Sequence, residues 1–294
     1  MPKISVVVNT YKEEKNIQRC LASVKDFAGE IVVVDMHSDD KTVEIAKKYN
    51  ARVFYHDYTR YVEPARNFAI TKAKGDYIFI IDADEELSST LASELTRIAR
   101  EGKVDYVEIP RKNIIFGKWI ENSRWWPDYL IRFFKKNKVK YSTEIHVPPK
   151  AEGTALKLEA RGEFAIVHHN FQSVFQYIER LNRYTDIQSE EIFKKTEVFD
   201  WKDLVFKPAN EFFSRFFAAE GYKDGLHGLV LALLQAFSEF ILYLKVWEKK
   251  GFKEEKINEF NKVSIKIIKD YFYWLERTTK NSLEKLRLKI KAKI

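Results

Sequence analysis

At 294 residues, 45% of them hydrophobic and 15% aromatic, with only 10 Gly and 7 Pro, the chain has core material for one large α/β domain with an appendage or for two modest domains, which excludes a disordered or linker-rich protein. Its 51 Lys plus Arg against 43 Asp plus Glu leave a net charge of +8, which suits nucleic acid, an anionic membrane surface or a phosphorylated substrate. The single Cys20 excludes an internal disulfide, and the opening MPKISVVVN lacks the charged-then-apolar layout of a signal peptide, so a cytoplasmic address is expected.

Residues 4–8 predict a buried strand, followed by a polar turn over 9–15 and an amphipathic helix carrying Ile17, Leu21 and Val24. The pattern repeats: a β-branched strand over 30–35 ends in Asp35, a turn over 37–40 follows, and a helix spans 42–48. A third strand spans 51–55, and a helix spans 63–73. The apolar strand at 77–81 then delivers Asp82 and Asp84, one residue apart, at its end. Alternation of this kind predicts a mainly parallel sheet covered on both faces, with ligands at the carboxyl ends of its strands. Asp35, Asp82 and Asp84 should converge there. Paired carboxylates in that position suit Mg²⁺ or Mn²⁺ bridging a diphosphate. The bland alternative is a solvated acidic turn.

Further on, the pattern predicts a helix over 87–100, a strand over 104–110, an aromatic and basic loop over 116–126 leading into a less regular segment at 127–134, read as strands and loops closing over the site, and a strand over 165–169 ending in His168 and His169. A helix follows over 174–193. From residue 207 the chain turns helical, first with Phe212, Phe213, Phe216 and Phe217 at helical spacing, then with an apolar run over 226–246. His227, Gln235, Ser238, Glu239 and Lys245 interrupt that run, which argues against a membrane span and for packing on other helices or lying in a bilayer interface. The Phe stripe is read as core first and as a membrane-facing patch second. Two domains are expected, 1–206 and 207–294. From Lys285 onward, Lys285, Arg287, Lys289, Lys291 and Lys293 occur with no acid among them.

Four separated motifs carry a family resemblance. Val6-Val7-Val8-Asn9-Thr10-Tyr11-Lys12-Glu13-Glu14 and Val33-Val34-Asp35-Met36-His37-Ser38-Asp39-Asp40 are joined by Ala65-Arg66-Asn67 and by Gly75-Asp76-Tyr77 with Asp82-Ala83-Asp84-Glu85. Together they resemble the family 2 glycosyltransferases of GT-A fold, an α/β, Rossmann-like mixed sheet, here with a C-terminal helical extension. A narrower resemblance to the lipopolysaccharide-core β-glucosyltransferase branch lies in Trp125-Trp126-Pro127-Asp128 with Arg132-Phe133-Phe134, in Glu144-Ile145-His146, and in His168-His169-Asn170-Phe171. The resemblance covers about the first 250 residues. Two departures stand out. The family usually has Asp-Gly or Ser-Gly where this chain has Met36-His37, and an acid where it has Val147.

The resemblance implies an inverting, metal-dependent transferase that takes a hexose, glucose foremost, from a UDP-sugar to a lipid-linked or envelope glycan. It places Thr10, Glu13 and Asp35 around the uracil and ribose, and Arg66 near the uridine or diphosphate. Asp84 is then the metal ligand, with Asp82 on the ribose or on the metal's water. His168 is a candidate to complete the metal shell, with His169 or His146 as substitutes and a plain strand-end hydrogen bond as the bland alternative. For the base, Asp128 stands on a Trp-lined segment where desolvation would raise a carboxylate's pKa. Glu144 competes with it, and Asp128 also reads as a salt-bridge partner of Arg132. The expected location is cytoplasmic, peripheral on the inner face of the cell membrane. A peptide or protein acceptor on the same fold is the alternative, and a non-catalytic nucleotide or nucleic-acid binding protein is the alternative of another class. No nucleic-acid partner is expected, because strand-end carboxylates repel phosphate unless a cation intervenes.

Overall fold

The structure is a computed structural model that describes residues 2–59, 62–142, 147–195 and 199–292. It falls into two compact units, one of Met1–Ile114 with Pro127–Asn170 and one of Ile115–Trp126 with Phe171–Ile294. Residues 171–206, expected in the first domain, therefore group with the helices. The long helix that begins at Val174 packs on the helix that begins at Leu226.

The first unit holds strands β1 (Ile4–Thr10), β2 (Glu30–Asp35), β3 (Arg52–Tyr55), β4 (Tyr77–Ile80), β5 (Glu85–Glu86) and β6 (Tyr106–Ile115), the last reaching the boundary between the units. The second unit contributes the short β7 (Lys118–Trp119). The first resumes with β8 (Asp128–Lys135), β9 (Val139–Lys140), β10 (Lys150–Ala151), β11 (Ala155–Lys157) and β12 (Ile166–Phe171). Its helices are α1 (Ile17–Val24), α2 (Thr42–Lys48), α3 (Glu63–Lys72) and α4 (Ser89–Glu101). The main sheet runs in the order β3-β2-β1-β4-β8-β6-β12-β5. β1, β2, β3 and β4 are mutually parallel, whereas β8 is antiparallel to both β4 and β6.

Period-two alternation splits the β-branched strands cleanly between the two faces. Val6, Val8, Val33 and Phe79 pack with Ile17 and Leu21 of α1 and Leu91 and Leu95 of α4. Val7, Val32, Val34, Ile78 and Ile80 face the other way, against Ala69 of α3 and Ala73 just beyond it. Both faces are covered, as the alternating elements predicted.

The antiparallel strand positions the site. Because β8 runs opposite to β4, its amino end lies at the same sheet edge as the carboxyl ends of β1, β2 and β4. There Thr10 stands beside Asp35, and Arg111 of β6 stands opposite Asp128, the first residue of β8.

The second unit contains α5 (Val174–Lys195), α6 (Asp203–Phe213), α7 (Leu226–Lys249), α8 (Phe260–Thr278) and α9 (Ser282–Lys291). By length and composition alone, α7 is long and apolar enough to cross a membrane. It lies along α5 and α6, with Gln235 donating to the Tyr177 hydroxyl and Lys245 to the Asn182 carbonyl. Two of the polar residues that interrupt the apolar run thus bond to α5. Phe213 and Phe217 are buried and meet Tyr271 of α8, so these two residues of the Phe stripe belong to the core of this unit, while Phe212 and Phe216 are half-buried.

Candidate active site

Asp35, Asp82 and Asp84 lie at or just after the carboxyl ends of parallel strands of one sheet, and Asp82 and Asp84 have separate tasks. Asp82 follows β4 and is gripped by two buried arginines. Arg66 of α3 donates to Oδ1 at 2.9 Å, and Arg132 of β8 donates to Oδ2 at 2.5 Å. Burial alone would push this carboxyl up, yet Arg132 and Arg66 outweigh it and hold Asp82 well below the usual carboxylate range. Glu85 is fully buried beside them, 3.5 Å from Arg132 and 3.4 Å from Arg111. Arg111 in turn donates through Nε and Nη2 to Asp128 Oδ2, at 2.8 and 2.6 Å. Three arginines thus interleave with three carboxylates.

Asp82 was expected on the ribose or near a metal. Both its oxygens are instead engaged by guanidinium groups, and the paired charges explain why such a cluster tolerates burial.

Asp84, two residues on, takes the other task. Its Oδ2 lies 3.3 Å from His168 Nε2 of β12, with both side chains largely buried. His169 points to the opposite face of the same strand, where its Nε2 meets Glu86 Oε1 at 2.5 Å and Arg19 joins from α1. His169 therefore cannot stand in for His168. The expected substitute His146 and the competing base Glu144 lie outside the described residues.

Asp128 pairs with Arg111 and not with Arg132, so the salt bridge expected four residues along the strand gives way to one across it. The donors reaching Asp128 all converge on Oδ2, the third being Asn113 Nδ2 at 3.3 Å. Among the described residues no partner occupies Oδ1.

Thr10, Glu13 and Asp35, expected around the uracil and ribose, lie at and after the ends of β1 and β2. Asp35 is fully buried and accepts from the Ser38 backbone N–H and hydroxyl at 2.8 and 2.6 Å, closing its own turn. His37 has φ +62°, the left-handed region, at the place where the family carries glycine. The turn has kept the glycine conformation with an imidazole that stacks on Tyr55 at 5.4 Å. Glu13 accepts from Asn16 at the start of α1. Among the described residues, Thr10 Oγ1 and Arg66 Nη1 are buried without a hydrogen-bond partner.

Among the described residues no cluster of three or more His, Cys, Asp or Glu forms a ready metal cage. Asp84 and His168 do fit a divalent ion that takes its other ligands from phosphate oxygens and water, the usual habit of Mg²⁺ and Mn²⁺ at phosphate sites. Glu85, Arg111 and Asn113 were missed by the sequence reading. The available signal was the two-residue spacing of Arg111 and Asn113, which puts both on one face of a strand.

Residues 5–152 match the family model described as glycosyl transferase family 2. The chain belongs to glycosyltransferase family 2. An uncharacterized glycosyltransferase of Rickettsia bellii is 31% identical over 260 residues, covering 84% of this chain and 86% of that protein. Among solved structures, residues 1–349 of S. aureus TarS align over 99% of this chain and 88% of theirs, with 17% identity and a TM-score of 0.43. Glucosyl-3-phosphoglycerate synthase from Mycobacterium tuberculosis, solved with Mn²⁺ and UDP-glucose, aligns over 40% of this chain and 44% of its own, with 22% identity and a TM-score of 0.33. The glycosyltransferase has the GT-A arrangement of a mixed sheet flanked by helices, with a helical region after it.

Proposed function

We propose that this glycosyltransferase moves a hexose, with glucose the first choice, from a UDP-sugar to a hydroxyl of a lipid-linked or envelope glycan. The anomeric centre inverts, and Mg²⁺ or Mn²⁺ assists. The observation that carries the reading is the facing pair of Asp84 Oδ2 and His168 Nε2 at the sheet edge shared with Thr10 and Asp35. Asp84 and His168 would hold the metal, which when bound neutralises charge on the departing diphosphate. The chain's own residues do the rest. Asp128, fixed through Oδ2, offers Oδ1 to take the proton of the incoming hydroxyl. Arg66 and Arg132 stand beside the Asp82 carboxylate as fixed positive charge at the same edge.

A panel of nucleotide sugars incubated without acceptor tests this reading. UDP should be released from one donor in the presence of Mn²⁺ or Mg²⁺ and not in EDTA. Release that persists in EDTA, or no release and no nucleotide binding at all, would remove the metal-dependent reading.

The membrane address has a candidate surface in α9. Leu283, Leu286 and Ile290 are 76%, 58% and 53% exposed and, at about 100° per residue, fall within a sector of about 60°. Arg287 and Lys291 flank that stripe on one side, and Lys289 and Lys285 on the other. An apolar stripe between basic flanks suits a helix lying in the plane of an anionic bilayer. The full chain should co-sediment with phosphatidylglycerol-containing vesicles and not with pure phosphatidylcholine. Leu283→Glu with Leu286→Glu and Ile290→Glu should weaken this by at least about tenfold. Unchanged sedimentation of the triple variant, or loss only of self-association, would place the membrane contact elsewhere.

A further inference from the structure

Asn113 is fully buried on β6, and its amide lies between the two working parts of the site. Nδ2 donates to Asp128 Oδ2 at 3.3 Å. Oδ1 lies 2.7 Å from His168 Nδ1 and also accepts from Asn170 Nδ2 at 3.5 Å. Chemistry fixes which end of the amide faces which neighbour. A carboxylate can only accept, so the NH₂ must face Asp128 and the carbonyl must face His168. His168 then carries its proton on Nδ1, since only a donor can meet that carbonyl. In the neutral ring Nε2 is left as an acceptor, aimed at the acceptor Oδ2 of Asp84 3.3 Å away. In that neutral ring two acceptors face one another, a pair that suits a shared divalent cation, whereas a second proton on Nε2 would make it an imidazolium–carboxylate bond.

We infer that Asn113 is a positioning residue that fixes the Nδ1–H tautomer of His168 and holds Asp128 Oδ2, joining the candidate metal ligands to the candidate base through one side chain. The inference rests on the metal-dependent reading above and extends it to a residue outside every motif that carries the family resemblance. The connected order is Asp84, His168, Asn113, Asp128, drawn from the β4–β5 turn, β12, β6 and β8. Outer partners of this kind orient a ligating imidazole and raise its basicity. The same amide leaves Asp128 Oδ1 turned away from its anchors.

Two substitutions separate the two ends of the amide. Asn113→Ala removes both bonds and should weaken Mn²⁺ binding to the protein with UDP, read by electron paramagnetic resonance, by about 10- to 100-fold. Asn113→Asp keeps an acceptor for His168 but sets a second carboxylate against Asp128. Its Mn²⁺ affinity should stay within a few-fold of wild type while kcat falls by about 100-fold or more. A merely structural role would lower thermal stability without this split. Wild-type Mn²⁺ affinity in Asn113→Ala, or wild-type kcat in Asn113→Asp, overturns the inference.

A measurement on the unaltered protein needs neither variant to fold. Long-range ¹H–¹⁵N spectra of the metal-free chain, with His168 assigned against His168→Ala, should show the neutral ring protonated at Nδ1. Protonation at Nε2 instead overturns the inference whatever the donor panel shows. Absent Mn²⁺ binding beside an Nδ1–H ring would overturn the metal reading alone.

Discussion

Asp128→Asn should lower kcat by about 10²- to 10⁴-fold and leave the dissociation constants of UDP-sugar and Mn²⁺ within a few-fold of wild type. The amide is isosteric, and its oxygen can still accept from Arg111 and Asn113, so the strand end should keep its shape. What disappears is the basic oxygen that, in the proposed reaction, takes the acceptor's proton. Loss concentrated in kcat is the signature of an interaction used in the transition state rather than in ground-state binding. Steady-state kinetics with calorimetric donor binding separates the two. Full turnover in Asp128→Asn would transfer the base role to another carboxylate, with Glu144 the first to try.

Asp82→Asn should unfold the sheet-bearing unit at a lower temperature, because it strands Arg66 and Arg132 with one carboxylate fewer. Their side chains are 7% and 5% exposed. Removing one partner of a buried ion pair costs about 3–5 kcal/mol. Asp82 itself keeps 23% of its side chain exposed, so the lower end, about 3 kcal/mol, is expected. That corresponds to a fall in Tm of roughly 6–12 °C for a unit of this size. The pH dependence carries the same sign. A carboxyl depressed in the folded state contributes stability above its unfolded value near ~3.9 and loses it progressively as pH falls below that point. The wild type should therefore be destabilised by acid below about pH 4, and Asp82→Asn should show a shallower acid limb. Identical acid limbs in calorimetry would mean that the arginines draw their compensation from Glu85 instead.

The alternation of strands and helices was legible through β4 because β-branched runs and amphipathic helices follow strict periods there, and Asp35, Asp82 and Asp84 fell where a parallel sheet puts its carboxyl ends. Pairing across the sheet was not legible. Asp82 meets Arg132 from 50 residues away, through an antiparallel register that no local pattern encodes. Pro110 hid two residues of the site: a proline without an N–H argues for a strand end, yet the register continues from Pro110 opposite Tyr129 to Arg111 opposite Asp128. The adjacent histidines looked equivalent until strand alternation sent His168 to Asp84 and His169 to Glu86.

The strand order β4-β8-β6 also has a bearing on synthesis. β8 follows β6 in the chain but lies between it and β4, so a chain emerging from the ribosome presents β4 as an open edge until β8 arrives. In that interval Asp82 already has Arg66, 16 residues away, and still lacks Arg132. Non-local pairing of this kind is slow to form. The nascent protein thus carries a parallel half-sheet with an unpaired, aggregation-prone border, and the insertion of one late strand closes that border, balances the buried charge and brings in Asp128.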